Sequence, residues 1–434
     1  MQDRNFLRFS LSLFGGLLAG LALLQANFIF MPIALSLLWG ISKYRFYCFV
    51  WGFSAVLLSH IWLLSLHPLM WIGIDEQVSL LISILIWLFC GLWGGVLLIA
   101  WSFIGKFISS ILFIDDKDES LGSISYAFIM SGIWGLSEVY LSHSLLFWIG
   151  IGGSVLPGNI FFAGIARWFG EGGLATGQLL VGWWLWRSGF AFYKGIRWHE
   201  FFIKGFILVL FINVLGFALL RSNLGEETID VAVWQPAIPV RIKFSERLQL
   251  KLPDLIQSKL LEAKKLKADI LIAPEGLIMA NQSLLDSSPI TFISGGFRRL
   301  EGKLRSSLLI FEKGNKSFSA AVDKYRLVPL GEFIPDLSFF NNLNLSAIGG
   351  IYQGNKSRFT EWSGPSFATS ICYEISDGDL ISEAISNGGK WIISLANLDP
   401  YPKSLQRQYL ALARLRSIET SKFLVIASNT GPSA

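Results

Sequence analysis

Three polar residues of this chain have the types and spacing that covalent acyl chemistry needs. Glu275 lies in Leu-Ile-Ala-Pro-Glu-Gly, Lys324 in Val-Asp-Lys-Tyr-Arg and Cys372 in Ser-Ile-Cys-Tyr-Glu, with gaps of 49 and 48 residues. A thiol becomes a nucleophile when a base takes its proton, and a carboxylate can be that base. A lysine ammonium can stabilise the oxyanion that forms when a thiolate attacks a carbonyl. Taken singly, each residue has an ordinary interpretation: a turn glutamate, a solvated lysine and a packed cysteine.

Each of these residues ends or follows a predicted strand, where an α/β scaffold presents side chains rigidly into a shared cleft. Residues 228–434 mix strand and helix patterns at a spacing typical of a layered α/β domain. The predicted strands cover residues 229–235, 269–274, 290–295, 306–312, 317–323, 367–372, 391–396 and 423–428. The predicted helices cover residues 244–266, 376–387 and 405–419.

The composition separates this part of the chain from the part before it. The 434 residues are 53% hydrophobic and only 15% charged, which is too little charge for a soluble domain of this length. Residues 1–220 hold 21 charged residues and residues 221–434 hold 46, whereas 14 of the 17 tryptophans lie in the first half. We predict a membrane domain over 1–220 and a water-exposed catalytic domain over 221–434.

The first half contains about seven apolar segments of the kind that cross a bilayer, since a spanning helix needs ~20 mostly apolar residues. The intervening stretch 145–173 is broken by glycines and proline, and we interpret it as an interfacial or re-entrant connection. The predicted spans cover residues 6–24, 28–41, 46–66, 78–107, 124–140, 174–186 and 201–220.

Positive charge indicates the orientation of these spans. With a cytoplasmic N-terminus, ten lysines and arginines before residue 221 fall on the inner side and only Arg167 falls on the outer side. Seven spans then put the catalytic domain on the extracytoplasmic side. We therefore predict a multi-pass protein of the bacterial plasma (inner) membrane with a periplasmic catalytic domain.

The same residues carry a resemblance to a known family. In this order, Glu275, Lys324 and Cys372 resemble the Glu-Lys-Cys triad of the nitrilase superfamily. The run KYRLVPLGEFIP, which starts at Lys324, resembles the signature K-x-x-L-V-P-x-G-E-[FY]-x-P of apolipoprotein N-acyltransferases. The Cys-Tyr-Glu at 372–374 matches that family's nucleophile turn. The resemblance covers essentially the whole chain and implies a polytopic α-helical membrane domain followed by an α/β nitrilase-like domain, an αββα four-layer sandwich.

The resemblance also implies an acyl transfer in two steps. Cys372 attacks an ester of a membrane phospholipid, typically the sn-1 chain of phosphatidylethanolamine. The resulting thioester then passes the acyl chain to the free α-amine of a diacylglyceryl-cysteine at a lipoprotein N-terminus. Glu275 takes the thiol proton and later the amine proton, and Lys324 steadies both tetrahedral intermediates. No metal or organic cofactor is needed, and the partners are a phospholipid, a diacylated lipoprotein and the bilayer, with the protein expected to be a monomer.

Three further residues are expected to support this site. Glu332 positions or polarises the lysine–glutamate pair, with a loop salt bridge as its alternative role. Glu374 holds the cysteine turn, because it lies two residues after the nucleophile. Tyr373 supplies packing or one hydrogen bond.

The stretch 333–351 is rich in large apolar side chains and has no regular period. A soluble enzyme rarely exposes such a loop. Our hypothesis is a lid that dips into the outer leaflet beside the active site, with Phe333, Phe339 and Phe340 as its lipid-facing residues. The alternative is a loop packed on the catalytic domain.

The chain departs from the family pattern at three places. Phe244 stands where the family has a tryptophan. The loop at 397–401 reads Asn-Leu-Asp-Pro-Tyr in place of an Asn-Asp-x-Trp-Phe type, so the acyl or acceptor pocket is expected to differ. The sequence stops at Ala434, where the family continues with more strands and an eighth spanning helix. We therefore expect a catalytic domain that is C-terminally short, by nature or as a fragment.

Two other functions fit parts of these observations. A membrane-bound nitrilase-type amidase would use the same triad but resolve the thioester with water. A non-catalytic protein could bind lipoproteins and have lost turnover through its short C-terminus. Nucleic acid is not an expected partner, because the net charge of +5 is diffuse and no basic cluster is interleaved with aromatics. The four histidines lack the spacing of zinc ligands.

Overall fold

The computed structural model of the chain describes residues 2–68, 75–112, 124–144, 148–220, 228–243, 245–329, 331–332 and 350–434. The chain divides into two compact units, and the division falls between residues 222 and 223. The described part of the first unit consists of helices, and that of the second consists of two sheets with covering helices.

The helices of the first unit follow from its long apolar runs. They are α1 (Gln2–Gln25), α2 (Phe30–Ile41), α3 (Arg45–Ser59), α4 (Glu76–Ile111), α5 (Ile124–Ser142), α6 (Ile160–Ala163), α7 (Ala166–Tyr193) and α8 (Trp198–Leu220). Within the described ranges, α1, α4, α5 and α8 are long and apolar enough to cross a bilayer, and α2 and α3 are shorter apolar helices. Every predicted span overlaps one of the longer helices, but α3 ends at Ser59 and a separate 3₁₀ segment, Ile61–Leu66, forms the rest of the predicted span 46–66. The total of seven crossings stays a prediction.

The connection that we predicted over 145–173 is irregular only in part. Its described residues contain a 3₁₀ segment, Ile151–Val155, and the short helix α6, but α7 already begins at Ala166. The backbone at Gly170 leaves the helical region, with φ 60° and ψ −167°, so α7 is two helical pieces joined at a kink. The predicted start of this helix at residue 174 was therefore too late.

A buried carboxylate holds this irregular connection in place. Glu138 of α5 is 6% exposed, and its Oε1 accepts hydrogen bonds from the indole of Trp134 at 2.9 Å and the backbone N–H of Ile151 at 2.8 Å. Backbone groups outside a helix need such partners wherever water is scarce. Glu138 thus accepts a hydrogen bond from a backbone N–H of the 3₁₀ segment that the helices leave without a partner.

The second unit contains two mixed sheets. The first has the order β1-β2-β3-β4-β5, parallel for β1 to β3 and antiparallel from β3 to β5, and the second has the order β6-β7-β8-β9, with β7 to β9 parallel. The strands are β1 (Val231–Val233), β2 (Ile270–Ile278), β3 (Thr291–Leu300), β4 (Lys303–Phe311), β5 (Ala320–Asp323), β6 (Phe359–Thr360), β7 (Phe367–Ile371), β8 (Trp391–Ala396) and β9 (Leu424–Ser428). The helices are α9 (Val240–Lys243), α10 (Glu246–Lys265), α11 (Gly378–Ser386) and α12 (Lys403–Thr420).

Successive side chains of a strand point to opposite faces of the sheet, and the apolar ones form two layers of hydrophobic core. One set of apolar side chains from β2, β3 and β4 faces β7, β8 and β9, with Ile272, Ile310 and Ile393 fully buried between the sheets. The opposite face of the first sheet packs on α10 through residues such as Leu260. Helices α11 and α12 contact the second sheet. The predicted αββα four-layer sandwich is therefore confirmed.

The predicted elements of this unit differ from the structure mainly at their ends. The two-residue strand β6 was missed, and the helix predicted over 244–266 is preceded by the separate short helix α9. Strand β3 was predicted to end at residue 295 but runs to Leu300, and β2 was predicted to end at Pro274 but continues to Ile278. Its pairing with β3 shifts register between Ala273 and Ile278, so the extra length is an irregular, bulged segment.

Candidate active site

The structure brings the three predicted catalytic residues together from three strands. Glu275 lies in the bulged part of β2, Lys324 directly follows β5, and Cys372 directly follows β7. The Nζ of Lys324 lies 2.9 Å from Oε1 of Glu275, and the Cys372 thiol forms a hydrogen bond with the Glu275 side chain. Since β2 and β5 belong to one sheet and β7 to the other, the site depends on the face-to-face packing of the two sheets.

The bulge that carries Glu275 depends on a glycine in the neighbouring strand. A Cβ atom at Gly295 of β3 would lie 2.3 Å from the Cα of Glu275, which no side chain tolerates. Gly295 therefore lets the two backbones approach closely, as glycine inside a strand often does. Sequence reasoning placed Glu275 after the strand and missed this requirement.

Cys372 leaves its strand through a strained turn. Its φ of 51° lies in the left-handed region, and it opens a 3₁₀ segment that runs to Ser376. Such a conformation costs a non-glycine residue about 1–3 kcal/mol and persists only where surrounding contacts hold it. The chain therefore changes direction at Cys372, directly after β7.

Glu374 is one of those surrounding contacts. Its Oε2 accepts from the backbone N–H of Ile371 at 2.8 Å, directly before the cysteine. Its Oε1 accepts from the backbone N–H of Tyr325 at 2.6 Å, directly after Lys324, and pairs with Arg358 at 2.9 Å. One carboxylate thus links the cysteine turn to the lysine segment.

Arg358 is a buried partner that sequence reasoning missed. Its side chain and that of Glu374 are each 1% exposed, and its Nη2 also donates to the backbone carbonyl of Asp323 at 2.8 Å. The residue before Lys324 is therefore held by the same guanidinium that neutralises Glu374. Arg358 directly precedes β6, which at two residues is too short to show a sequence pattern.

Replacing Glu374 with glutamine is expected to destabilise the second unit. The change leaves the buried Arg358 without a counter-ion, and breaking a buried pair in this way typically costs about 3–5 kcal/mol. For a unit of this size, that corresponds to roughly 6–20 °C in Tm. Thermal unfolding of the detergent-solubilised variant measures it, with Glu383→Gln on the exposed face of α11 as the matched control. Equal Tm values for both variants would contradict the assignment.

The lysine of the site is shared by two carboxylates. Lys324 is 1% exposed, and its Nζ lies 2.9 Å from Glu275 and 2.7 Å from Glu332. Burial lowers the pKa of Lys324, but the two carboxylates outweigh it, so its pKa lies well above the usual value. Burial raises the pKa of Glu332 in spite of the opposing effect of Lys324. The second oxygen of Glu332 accepts from the backbone N–H of Val328 at 2.8 Å.

The thiol itself is protonated in this resting site. Burial raises the pKa of Cys372, the Glu275 carboxylate raises it further, and Lys324 only partly compensates. A free thiolate is therefore disfavoured before substrate arrives. Deprotonation must accompany attack, and Glu275 is the carboxylate that hydrogen-bonds with the thiol.

The loop after β8 completes the surroundings of Glu275. The backbone N–H of Asn397 donates to Oε2 of Glu275 at 3.2 Å, so both carboxylate oxygens have a donor. Tyr401 lies in the same charge environment: burial raises its pKa, and its next largest interactions are with Cys372 and Lys324. Asn397 follows a strand as directly as Cys372 does, and the same strand-end argument would have found it.

The other predicted residues have different outcomes. Tyr373 is 9% exposed, and its ring lies 4.7 Å from the guanidinium of Arg326, while its role in the site stays a prediction. The lid residues Phe333, Phe339 and Phe340 and the departure at Phe244 lie outside the described residues. In the ranges that the structure describes, no group of three or more His, Cys, Asp or Glu side chains is arranged to hold a metal ion.

Known proteins resemble this chain over most of its length. No family model matches the chain. It is 47% identical over 421 residues to an apolipoprotein N-acyltransferase of Prochlorococcus marinus (strain MIT 9313), covering 97% of this chain and 84% of that protein. It is 42% identical over 422 residues to one of Parasynechococcus marenigrum (strain WH8102), covering 97% of this chain and 88% of that protein.

Among solved structures, the chain is similar to Saccharomyces cerevisiae Nit3, a member of branch 10 of the nitrilase superfamily. That match has 15% sequence identity and a TM-score of 0.35, and covers 48% of this chain and 78% of Nit3.

The identity to these sequence relatives extends over both units, so the chain is a membrane acyltransferase. It belongs to the apolipoprotein N-acyltransferase family.

Proposed function

We propose that this acyltransferase carries its acyl group as a thioester on Cys372, with Glu275 as general base and Lys324 as the oxyanion-stabilising cation. The observation that carries the proposal is the single buried cluster in which Glu275 hydrogen-bonds with both the thiol and the lysine. The relatives are named for the N-acylation of apolipoproteins, which supplies the acceptor.

The first half-reaction acylates the enzyme. Glu275 takes the thiol proton as Cys372 Sγ attacks the ester carbonyl of a phospholipid, and a tetrahedral oxyanion forms beside Lys324. Collapse breaks the ester bond, and the protonated Glu275 returns its proton to the departing alkoxide. The products are the thioester and a lysophospholipid. The buried ammonium is effective because opposite charges interact more strongly away from water.

The second half-reaction transfers the chain. The α-amine of a diacylglyceryl-cysteine attacks the thioester carbonyl, and Glu275 takes the amine proton. The second oxyanion again forms beside Lys324. Its collapse expels the Cys372 thiolate, which regains a proton from Glu275. Dividing one difficult transfer into two easier steps is the usual advantage of a covalent intermediate.

Three residues support these steps without touching the reacting atoms. Glu332 holds Lys324 at 2.7 Å and fixes the direction of its ammonium. Glu374 links the cysteine turn to the lysine segment through its hydrogen bonds to Ile371 and Tyr325. Tyr373 packs against the guanidinium of Arg326 at the same turn.

The donor and the orientation belong to the same proposal. The donor is a membrane phospholipid, with phosphatidylethanolamine the first to test, and the protein acts as a monomer. The enzyme lies in the bacterial plasma (inner) membrane with its N-terminus in the cytoplasm and its catalytic unit on the extracytoplasmic side. The ten-to-one distribution of positive charge over the predicted loops supports this orientation.

The proposal is tested by supplying the purified enzyme with phosphatidylethanolamine and a synthetic diacylglyceryl-cysteine peptide. We expect N-acylated peptide and lysophospholipid in equal amounts, measured by mass spectrometry. Free fatty acid without N-acyl peptide would indicate a hydrolase of the amidase type. Binding of the peptide with neither product would indicate a non-catalytic lipoprotein-binding protein. Either of these results would overturn the proposal.

A further inference from the structure

A second buried lysine lies next to the proposed base. Lys243, the last residue of α9, is only 5% exposed, and its Nζ donates to the backbone carbonyl of Glu275 at 3.1 Å. Lysine is almost never this deeply buried without a partner. Here the partner is the peptide group of the residue that carries the proposed base, and the proposed reaction steps do not use this lysine.

The segment that carries Lys243 is fixed from two directions. At the start of α9, the backbone N–H of Val240 donates to Oδ2 of Asp399 at 2.9 Å, in the loop after β8. Just before it, Ile238 exchanges two hydrogen bonds with the side chain of Asn429, at 3.0 and 2.7 Å, in the segment after β9. Two strand-end segments of the second sheet therefore place the short helix over the first sheet. The fold therefore fixes the position of the Lys243 ammonium at the site.

The contact falls on the irregular part of β2. The carbonyl that Lys243 holds belongs to the peptide between Glu275 and Gly276, inside the stretch where pairing with β3 shifts register. A Cβ atom at Gly276, which has φ of 68°, would lie 2.8 Å from the lysine Nζ. Gly276 thus leaves room for the Lys243 ammonium. It also permits the positive-φ backbone conformation at the peptide whose carbonyl accepts from Lys243.

The lysine also places a positive charge beside Glu275. Burial lowers the pKa of Lys243, while the two carboxylates that face it, Glu275 and Asp399, raise it. Together with Glu332, these carboxylates outnumber the ammonium groups of Lys324 and Lys243 by one. Without Lys243 the excess would be two negative charges, and a thiolate beside them would be more costly.

We propose that Lys243 is a positioning residue for Glu275: it fixes the bulged peptide of the base and offsets negative charge beside the nucleophile. The inference rests on the proposed roles of Glu275 and Cys372. It assigns Lys243 no contact with either substrate, so its removal should affect turnover rather than substrate binding.

The test compares Lys243→Met, Lys243→Gln and Lys243→Arg with Lys251→Met, a control at an exposed lysine of α10. In Lys243→Met we expect kcat for both half-reactions to fall about 10–100-fold, as expected for a misplaced catalytic group, with KM for both substrates within about threefold of wild type. The midpoint of the pH profile for alkylation of Cys372 by iodoacetamide should move to higher pH. Lys243→Arg should restore the alkylation profile, and Lys243→Gln, which keeps a donor without the charge, should give an intermediate kcat.

Two results would overturn the inference. One is a Lys243→Met enzyme with wild-type kcat per titratable thiol. The other is a lowered Tm with no change in kcat or in the alkylation profile, which marks a merely structural lysine. If the methionine variant does not fold, the glutamine and arginine variants decide by the same criteria. Cys372→Ser distinguishes failure of this inference from failure of the proposed function. If that variant still transfers acyl chains, the proposed function itself has failed.

Discussion

Replacing Cys372 with serine is expected to lower acyl transfer from phospholipid to a diacylglyceryl-cysteine peptide by at least about 10⁴-fold, because complete loss of a nucleophile from a catalytic unit lowers kcat by about 10⁶-fold. Serine preserves the shape of the turn, including its left-handed backbone. However, a hydroxyl holds its proton far more tightly than a thiol does. Glu275 can take the proton of a thiol as the thiol attacks, but it is too weak a base to activate an alcohol to the same extent.

The measurement is the rate of N-acyl peptide formation per folded enzyme, with Cys90→Ser as the matched control. Cys90 is also a buried free cysteine, but it lies in α4 of the helical unit. The control should retain wild-type turnover. A Cys372→Ser enzyme with more than a tenth of wild-type activity would exclude Cys372 as the nucleophile.

Replacing Glu275 with glutamine should have the second largest effect, a loss of about 10³-fold, which lies within the usual range for a general base. The amide keeps the shape of the carboxylate, but its single oxygen can replace only one of the two acceptor oxygens, which receive hydrogen bonds from Lys324 and from the backbone N–H of Asn397. It cannot take a proton from the thiol or from the incoming amine. Both half-reactions should therefore slow, whereas a residue that acts on one substrate would slow only one.

Single-turnover experiments separate the two steps. Acylation is followed by release of lysophospholipid, and transfer by the loss of thioester from enzyme that has been acylated beforehand. Glu262→Gln, at an exposed glutamate of α10, is the control. A Glu275→Gln enzyme that acylates at the wild-type rate and fails only in transfer would contradict the role of Glu275 as base for the thiol.

The residues that sequence reasoning located are those whose neighbours form a short local pattern. Cys372 and Lys324 directly follow strands, and a strand end can be read from hydrophobic patterning within a few residues. Glu332 was found through the same signature as Lys324, and the structure puts it 2.7 Å from that lysine. In these cases the chain's local pattern and its tertiary contacts agree.

The residues that were missed depend on contacts between distant segments. Arg358 reaches Glu374 and the carbonyl of Asp323 from the position directly before β6, a two-residue strand that has no recognisable pattern. Lys243 acts on a backbone carbonyl, which any residue type could provide, so no side-chain pairing indicates it. The bulge at Glu275 requires a glycine in another strand. Such contacts are set by how two sheets pack, which hydrophobic periodicity does not specify.

The central claim, a thioester on Cys372, is tested most directly by intact-protein and peptide mass spectrometry of enzyme incubated with phosphatidylethanolamine alone. We predict a mass increase of one acyl chain, located on the peptide that contains Cys372 and absent from Cys372→Ser. Adding the diacylglyceryl-cysteine peptide should discharge it into N-acyl product at the rate of turnover. An adduct on another residue, or wild-type transfer with no adduct that forms and decays at a competent rate, would contradict the mechanism.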